Sequence, residues 1–485
     1  MQTIPFSRTL IAAALSAGFA LPAFAQIDVR FAMFNASLNR DSSGQLLSDL
    51  ANPAGAGTAN ATARRILQAT NVAEIIQRAN PDVLLVNEFD FDFNGVAGSQ
   101  STPTPVGYSS NAAVLFQDNF LSKSHGNAVR GMTTPVTDAY RYTPPTNTGI
   151  ASGLDLDNSG SVGGGNDAHG FGNYAGQYGF TIYSKYEITQ VRSFQNFLWK
   201  DMPGNLLTSD PTPGANNLSN FYSQAEIDAL RLSSKNHVDV TLNIGGQEVH
   251  FLTAHPTPPV FDGAEDRNGK RNADEIRFWK DYINGASYMY DDQGGTGGLS
   301  EGARFVIAGD YNADLCDGDS YKVACLGPDQ PGEGPNAIGQ LLLDPLVNTT
   351  LTPESSGGTQ AATDPNNNGT ANSTHLQDPM FDTADFNDAS PGNLRADYVL
   401  PSANLTMTEA GVFWPTDSNF ADGNTSGELF DLVGQFNKPG LYAGLPSSDH
   451  KLVYVNVTVP VPEPETYALF LAGIGLLATV ARRKA

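Results

Sequence analysis

Acidic, amide and histidine side chains stand at the ends of six short apolar stretches that the sequence pattern predicts as β-strands. They are Asn35, Glu88, His255, Asp310 with Asn312, Asp397, and Asp449 with His450. Strand ends hold side chains on a rigid scaffold and leave their tips open, which suits catalysis and ligand binding. Oxygen donors of the Asn, Asp and Glu type suit a hard cation such as Mg²⁺, Mn²⁺ or Ca²⁺ rather than zinc. One such residue alone is more often a turn or cap residue, but turn chemistry does not explain the whole set.

Alternating strands and helices would position these side chains. The pattern predicts strands at 27–34, 83–86, 112–116, 180–183, 238–244, 249–253, 305–308, 398–400 and 452–459. It predicts helices at 61–78, 223–232, 272–283 and 337–343. Gly- and Asn-rich stretches predict long surface loops at 145–170, 204–219 and 354–373. The alternation favours a mixed α/β sandwich over an all-β adhesin.

The chain is strongly acidic. Its 485 residues include 27 Lys and Arg against 51 Asp and Glu, a net charge of −24, and 40% of the residues are apolar. The apolar content is sufficient for a substantial core. The chain lacks the basic surface that holds proteins on nucleic acid by releasing counterions, which argues against a stoichiometric coat protein. It can still act on a phosphate ester if a bound cation reverses the local charge.

Both ends of the chain carry features of addressing signals. Residues 1–25 combine one basic residue, an apolar stretch and Ala23-Phe24-Ala25, the pattern of a cleaved secretory signal peptide; the alternative is a first core helix. Residues 461–485 combine a Pro-Glu-Pro segment, an apolar run at 467–481 that is short for a membrane span, and a basic tail. This arrangement resembles the PEP-CTERM sorting signal, with a short transmembrane segment. The resemblance implies processing by an exosortase in bacteria that make exopolysaccharide.

Export affects how the remaining residues, 26–460, are interpreted. We expect them to form one domain with long Gly- and Asn-rich insertions. Cys316 and Cys325 are the only cysteines, and an oxidising compartment favours a local disulfide between them over free thiols. After its sorting signal is processed, the protein would be secreted or associated with the cell surface.

A separate acidic stretch begins at Asp155. Asp155, Asp157 and Ser159 followed by Gly160 match the first half of a calcium-binding loop. Asn166 stands where such a loop normally has a bidentate Glu. The two interpretations are a structural Ca²⁺ site and a plain Asx-rich turn.

Seven segments resemble, in order, motifs of the endonuclease/exonuclease/phosphatase superfamily, whose members share the DNase I-like fold. They lie at 34–39, 81–88, 179–188, 254–256, 307–312, 395–399 and 448–450. Gly309-Asp310-Tyr311-Asn312 and Ser448-Asp449-His450 are the most specific of them. Together the segments span nearly the whole chain between its two end signals.

The resemblance implies an α+β fold, a four-layer α/β/β/α sandwich of two mixed β-sheets with the active site at one edge. It implies that Asn35, Glu88 and Asp449 hold Mg²⁺ or Mn²⁺, and a second, structural Ca²⁺ would belong to the separate loop at Asp155. Many members have an Asp two residues after the first-strand Asn, where this chain has Ser37. The metal site therefore departs from the common pattern at one corner.

The resemblance also implies the catalytic roles. The set would comprise His255, Asp310, Asn312, Asp397 and His450. His450 would activate the attacking water, and Asp397 would fix its tautomer. Asp310 and Asn312 would orient the nucleophile or the phosphoryl oxygens. His255 would contact the phosphate and could protonate the leaving oxygen.

These features predict an exported, metal-dependent hydrolase of phosphate esters, with phosphodiesters, including nucleic acid, as the leading substrate. The alternatives are a phosphomonoesterase or phospholipid phosphodiesterase of the same fold, and a largely non-catalytic protein of the exopolysaccharide matrix. We expect a monomer, with the exosortase and the exopolysaccharide matrix as its other partners.

Overall fold

The computed structural model describes residues 24–92, 111–211, 216–327, 330–363, 370–418, 427–434 and 446–462. Residues 1–23 of the predicted signal peptide and 463–485 of the predicted sorting signal lie outside these ranges. Within the described ranges, the chain forms two β-sheets, a two-stranded ribbon and helices.

The first sheet has six strands. In chain order they are β1 (Phe24–Leu38), β2 (Val83–Phe89), β5 (Tyr140–Tyr142), β6 (Phe180–Ser184), β12 (Thr406–Phe413) and β13 (Leu452–Pro462). The strands β3 (Gly126–Asn127) and β4 (Gly131–Met132) form the separate two-stranded ribbon. Their order across the sheet is β12-β13-β1-β2-β6-β5. β1 and β2 are parallel and the other neighbours are antiparallel, so the sheet is mixed.

The second sheet has five strands. They are β7 (Glu187–Ser193), β8 (His237–Ile244), β9 (Gln247–Ala254), β10 (Phe305–Asp310) and β11 (Asp397–Pro401), in the order β11-β10-β9-β8-β7. β8 and β9 form the predicted hairpin, whose two-residue turn places both Gly245 and Gly246 at positive φ. β9 and β10 are parallel, so this sheet is also mixed.

Helices lie between the strands. They are α1 (Gln45–Leu50), α2 (Ala61–Ala79), α3 (Asn111–Phe116), α4 (Gln224–Ala229), α5 (Arg267–Ile283), α6 (Gly339–Leu342), α7 (Ser356–Ala362) and α8 (Phe430–Val433). The side chain of Asn60 caps α2 by accepting a hydrogen bond from the Ala63 N–H at 2.9 Å. Asn80 ends it in the left-handed conformation, just before Pro81.

Alternating side chains of the strands divide the apolar core into two clusters. On the inner face, Phe31 of β1 packs against Phe251 of β9, with ring centroids 5.6 Å apart, and joins the two sheets. On the outer face, Leu252 and Ile307 belong to the cluster that contains Trp279 of α5. α2 covers the outer side of the first sheet in the same way. The four-layer α/β/β/α sandwich of two mixed sheets is therefore confirmed.

The predicted strand at 112–116 is wrong, because these residues form α3. Both carboxylate oxygens of Asp92 accept a hydrogen bond from the Ala112 N–H at 3.1 Å, near the start of the helix. The rings of Phe116 and Phe120, one helical turn apart, stack with centroids 5.8 Å apart. A short apolar run does not distinguish a buried helix from a strand.

The predicted surface loop at 145–170 is also partly wrong. Thr146, Asn147 and Thr148 are at most 1% exposed. The Asn147 side-chain amide donates to the backbone carbonyls of Gln195 and Ser233, at 2.7 and 2.8 Å. These hydrogen bonds replace the water that a polar loop would otherwise need, which allows a polar segment to run through the interior.

We predict that the contact between the sheets dominates stability. Phe31→Ala should lower the free energy of unfolding by about 3–5 kcal/mol, because it empties a site in the closed core. The measurement is urea-induced unfolding followed by circular dichroism. The same truncation at Phe261, which is 88% exposed, is the matched control. It should change the free energy by less than about 0.5 kcal/mol, and equal losses in both variants would contradict the inter-sheet role.

Candidate active site

Strand register brings the predicted site residues to one edge of the sandwich. Asn35 pairs with Asn87 where β1 and β2 lie side by side. In the other sheet, Asp310 at the end of β10 pairs with Asp397 at the start of β11. His255 directly follows β9, and Asn312 lies two residues beyond the end of β10. Glu88 lies near the end of β2, and Asp449 and His450 lie shortly before β13. The hydrogen bonds described below join the two sheets.

Asp310 lies at the centre of this group and is 1% exposed. Its Oδ2 accepts a hydrogen bond from Asn35 Nδ2 at 2.9 Å, and its Oδ1 accepts one from the Asn312 N–H at 2.9 Å. His255 Nε2 and His450 Nε2 lie 3.4 and 3.6 Å from Oδ2. Burial opposes ionisation, but the charge of His450 and the hydrogen bond from His255 hold the pKa of Asp310 well below its ordinary value.

His450 is held between two carboxylates. Its Nδ1 lies 2.8 Å from Asp397 Oδ2, on the opposite side of the ring from Asp310. The ring of Phe386 packs edge-on against it with centroids 5.1 Å apart. Burial disfavours the imidazolium, yet the charges of Asp397 and Asp310 raise the pKa of His450 well above its ordinary value. The arrangement fixes the ring and leaves Nε2 as the nitrogen that faces the site.

Asn35, Glu88 and Asp449 form the oxygen-rich corner that the sequence predicts as a metal site. Burial and the nearby charge of Asp449 raise the pKa of Glu88 to about 7, although a hydrogen bond from Asn35 opposes the shift. The hydroxyl of Ser37, the residue at which the site departs from the expected family pattern, lies 3.2 Å from Asp449 Oδ1 and 2.9 Å from Ser448 Oγ. The three side chains supply only oxygen donors, and the charge of Asp449 disfavours ionisation of Glu88, so the donor set fits a hard cation.

Three residues of the site adopt a backbone conformation that is costly for any residue other than glycine. Ser37, Glu88 and Asn312 have φ values of 48°, 54° and 49°. A non-glycine residue in this region costs about 1–3 kcal/mol, and such strain tends to concentrate at functional sites. The chain turns sharply at these three points and thereby directs the polar side chains into one cluster.

His255 lies on the other side of Asp310. Burial and the nearby ammonium group of Lys235 lower the pKa of His255 to about 4, so the ring is neutral at pH 7. Its Nε2 faces the carboxylate of Asp310, while its Nδ1 is buried and has no hydrogen-bond partner within the described residues. A neutral ring fits hydrogen bonding better than the proton donation that the family resemblance implies.

Sequence reasoning assigned no role to two residues that contact this group. The Thr383 hydroxyl donates to Asp397 Oδ2 at 2.8 Å and accepts from the Asp397 N–H at 2.9 Å. Lys235 is buried beside His255. Thr383 stands in no recognisable motif. Lys235 likewise lies outside the seven segments that resemble family motifs.

The acidic loop has the geometry of a clustered site. Ligand oxygens of Asp155, Asp157 and Asp167 lie within 4.8 Å of one another, so Asp167 rather than Asn166 supplies the third acid. The backbone N–H of Ser159 donates a hydrogen bond to Asp155 Oδ1 at 2.9 Å. The calcium site stays a prediction.

Elsewhere, Cys316 and Cys325 form a disulfide with Cα atoms 5.3 Å apart.

The sequence matches the Endonuclease/Exonuclease/phosphatase family over residues 55–450. The chain belongs to this family. Membership makes it a hydrolase that acts on phosphate esters. No curated protein sequence matches the chain significantly.

Several solved structures resemble the chain at low sequence identity. An endonuclease/exonuclease/phosphatase from Beutenbergia cavernae is 14% identical, with a TM-score of 0.39, over 89% of this chain and 71% of that chain. A mutant of Staphylococcus aureus beta toxin with bound magnesium ions is 13% identical, with a TM-score of 0.39, over 88% of this chain and 99% of that chain. A Bacteroides thetaiotaomicron mannosyl-6-phosphatase is 10% identical, with a TM-score of 0.37, over 88% of this chain and 99% of that chain.

The C-terminal segment is identified independently. Residues 460–484 match the PEP-CTERM protein-sorting motif. The motif indicates export and sorting to the cell envelope, and it implies processing by an exosortase. Among the residues that the structure describes, no helix has the length and apolar character needed to cross a membrane. The apolar run at 467–481 lies outside those residues.

A buried histidine behind the site should make stability depend on pH. His237 Nε2 donates to the Glu275 carbonyl at 2.8 Å, and burial lowers the pKa of His237 to about 4. Because the folded state holds this ring neutral, its stabilisation is complete above about pH 6.5 and is lost as the pH falls towards 4. His237→Gln should therefore reduce the loss of unfolding free energy between pH 7 and 4.5 by up to about 3 kcal/mol.

Urea unfolding at the two pH values measures this effect. The control is a variant that should change the pH dependence of the unfolding free energy in the opposite direction. The hydrogen bond and charge of Asp239 raise the pKa of His250 in spite of burial. His250 thus stabilises the fold below about pH 6.5, and His250→Gln should enlarge the loss at acid pH. If both variants shift the pH dependence in the same direction, the assignment is wrong.

Proposed function

We propose that the chain is a metal-dependent phosphodiesterase of the cell envelope, with nucleic acid among its substrates. The arrangement of Asp397, His450 and Asp310 carries the proposal. Two buried carboxylates, 2.8 and 3.6 Å from opposite nitrogens of His450, hold the ring in one orientation and would stabilise the imidazolium that forms once the neutral ring has taken a proton from water. That is the requirement for a base that must take a proton from water and keep it while the phosphate ester is attacked.

His450 would remove the proton from the attacking water through Nε2. Asp397 accepts the hydrogen bond from Nδ1, which specifies the tautomer with a free lone pair on Nε2. Thr383 holds the carboxylate of Asp397 in place. The protonated ring that results is stabilised by the two carboxylates beside it.

The oxygen-rich corner would bind the cation. Asn35, Glu88 and Asp449 supply only oxygen ligands, and the raised pKa of Glu88 reflects burial and the charge of Asp449, both of which disfavour its ionised form. Bound Mg²⁺ or Mn²⁺ would stabilise the negative charge that develops on the phosphoryl group and the leaving oxygen. Ser37 would orient Asp449 through its hydroxyl group.

The opposite side of the site would orient the phosphoryl group. Asn312 is fixed by the hydrogen bond from its N–H to Asp310, and its side-chain amide faces the same region. His255, neutral at pH 7, would contact the phosphate by hydrogen bonding. Asp310 holds Asn35, Asn312 and both histidines in register, so we assign it a positioning role.

Removal of the base should abolish most of the activity. We expect His450→Gln to lower kcat by about 100- to 10,000-fold, because no other group takes the proton from water. The assay compares plasmid DNA, RNA, bis-p-nitrophenyl phosphate and p-nitrophenyl phosphate. His375→Gln is the control, since this loop histidine contacts the Pro391 carbonyl at 2.8 Å and has no role in the site. Hydrolysis of the monoester alone would favour a phosphomonoesterase, and no hydrolysis at all would favour the matrix-protein alternative.

Loss of a predicted metal ligand should change the metal requirement. Glu88→Gln should raise the Mg²⁺ or Mn²⁺ concentration that gives half-maximal activity by at least about 10-fold, because one charged ligand is lost. A metal titration of bis-p-nitrophenyl phosphate hydrolysis measures it. Glu248→Gln, at an exposed position on β9, should leave the titration unchanged. An unaltered titration for Glu88→Gln would remove this residue from the metal site.

A further inference from the structure

Lys235 is a buried lysine with very few hydrogen bonds. It is only 6% exposed. Its ammonium group donates to the Pro256 carbonyl at 3.4 Å, a long hydrogen bond, and it makes no salt bridge within the described residues. An ammonium has three donors, and a buried one without an anionic partner is costly. The folded chain alone does not satisfy this charge.

Other buried lysines of the chain are better satisfied. Lys270 donates to the carbonyls of Asn216 and Glu265 and forms a salt bridge with Asp210 at 3.2 Å. Lys451 donates to two backbone carbonyls, at 3.1 and 3.3 Å, and lies over the ring of Trp414. Lys235, with one long hydrogen bond, therefore has fewer partners than either of these two lysines.

The fold holds Lys235 in this position. Glu275 of α5 accepts the Ser234 N–H through one carboxylate oxygen and the Thr257 N–H through the other, both at 2.6 Å. These bonds tie the segment before β8 to the segment after β9. Glu275 thus helps to position Lys235, and the two side chains form no salt bridge within the described residues.

The position that results is next to the groups of the candidate site. Lys235 Nζ and Asn312 Nδ2 converge on the same acceptor, the Pro256 carbonyl, at 3.4 and 3.3 Å. The ammonium group is close enough to His255 to help lower its pKa. Burial also lowers the pKa of Lys235, against the charges of Glu275, Asp310 and Glu88. The ammonium group and the amide thus share one neutral carbonyl acceptor, through two long hydrogen bonds, beside the carboxylates of the candidate site.

We propose that Lys235 is a substrate-binding residue whose ammonium group contacts a non-bridging oxygen of the phosphoryl group. The inference rests on the proposed function, because it assigns a role in the same site. An anionic oxygen would supply the acceptor that Lys235 lacks in the folded chain, and Asn312 and His255 would contact the same group. A charge-assisted hydrogen bond of this kind is stronger than a neutral one.

Binding of inorganic phosphate tests the proposal without requiring turnover. Isothermal titration calorimetry with the purified protein, with and without Mg²⁺, would compare the parent with Lys235→Met, Lys235→Arg and Lys270→Met. We expect Lys235→Met to bind phosphate about 10- to 100-fold more weakly. Lys235→Arg should retain part of the affinity, and Lys270→Met should bind as the parent does. A parent that binds no phosphate, or equal affinity in Lys235→Met, would overturn the proposal.

Stability separates a binding role from a structural one. Lys235→Met should unfold at a urea concentration equal to or higher than the parent, because it removes a poorly paired buried charge. Lys270→Met should unfold at a lower one, because it removes the salt bridge to Asp210 and the hydrogen bonds to two backbone carbonyls. Reduced stability in Lys235→Met together with normal phosphate binding would make the lysine structural.

The outcomes also distinguish this proposal from the proposed function. If the protein hydrolyses no ester but binds phosphate through Lys235, the binding role stands and the catalytic proposal fails. If it hydrolyses diesters and Lys235→Met has an unchanged KM and unchanged phosphate affinity, the catalytic proposal stands and the binding role fails.

Discussion

The buried carboxylate of Asp310 is the interaction on which the rest of the site depends. A buried anion is costly unless hydrogen bonds and opposite charges compensate it. Here the compensation comes from both halves of the sandwich, because Asn35 lies on the first sheet, Asn312 follows β10 of the second, and His450 precedes the last strand. Satisfying this one charge therefore brings together the strand ends that carry the site, and the site is assembled by the fold itself.

The same region retains features that cost stability. Among the residues that the structure describes, Asp397 Oδ1 and His255 Nδ1 are buried without hydrogen-bond partners and Lys235 has one long hydrogen bond. Glu88 and Asn312 adopt positive φ. Groups of this kind are destabilising in the free protein and persist where a ligand supplies the missing partner or where chemistry requires a fixed geometry. They surround Asp310, which is consistent with a site built for a ligand that carries both a cation and an anionic group.

Local pattern predicted the middle of each sheet better than its edges. The central strands read as continuous apolar runs because both of their faces are covered. The three strands of the two sheets that escaped prediction, β5, β7 and β12, are edge strands with partly exposed and polar side chains. The short helix α3 was predicted as a strand because its length and apolar composition fit either element. Burial of 146–148 depends on amide contacts with segments far away in the chain, which no local pattern records.

The sequence alone determined the family, the strand ends and the residue types of the site, because motifs and periodicity are local properties of the chain. It also determined the strong negative charge and the sorting motif. Only the tertiary structure decided which of these residues lie together. Asp397 and His450 are separated by 53 positions, yet their side chains are in contact. Packing, rather than spacing along the chain, sets which polar groups find hydrogen-bond partners. It gives Ser37 and Thr383 their contacts with Asp449 and Asp397, and it leaves the ammonium group of Lys235 with one long hydrogen bond.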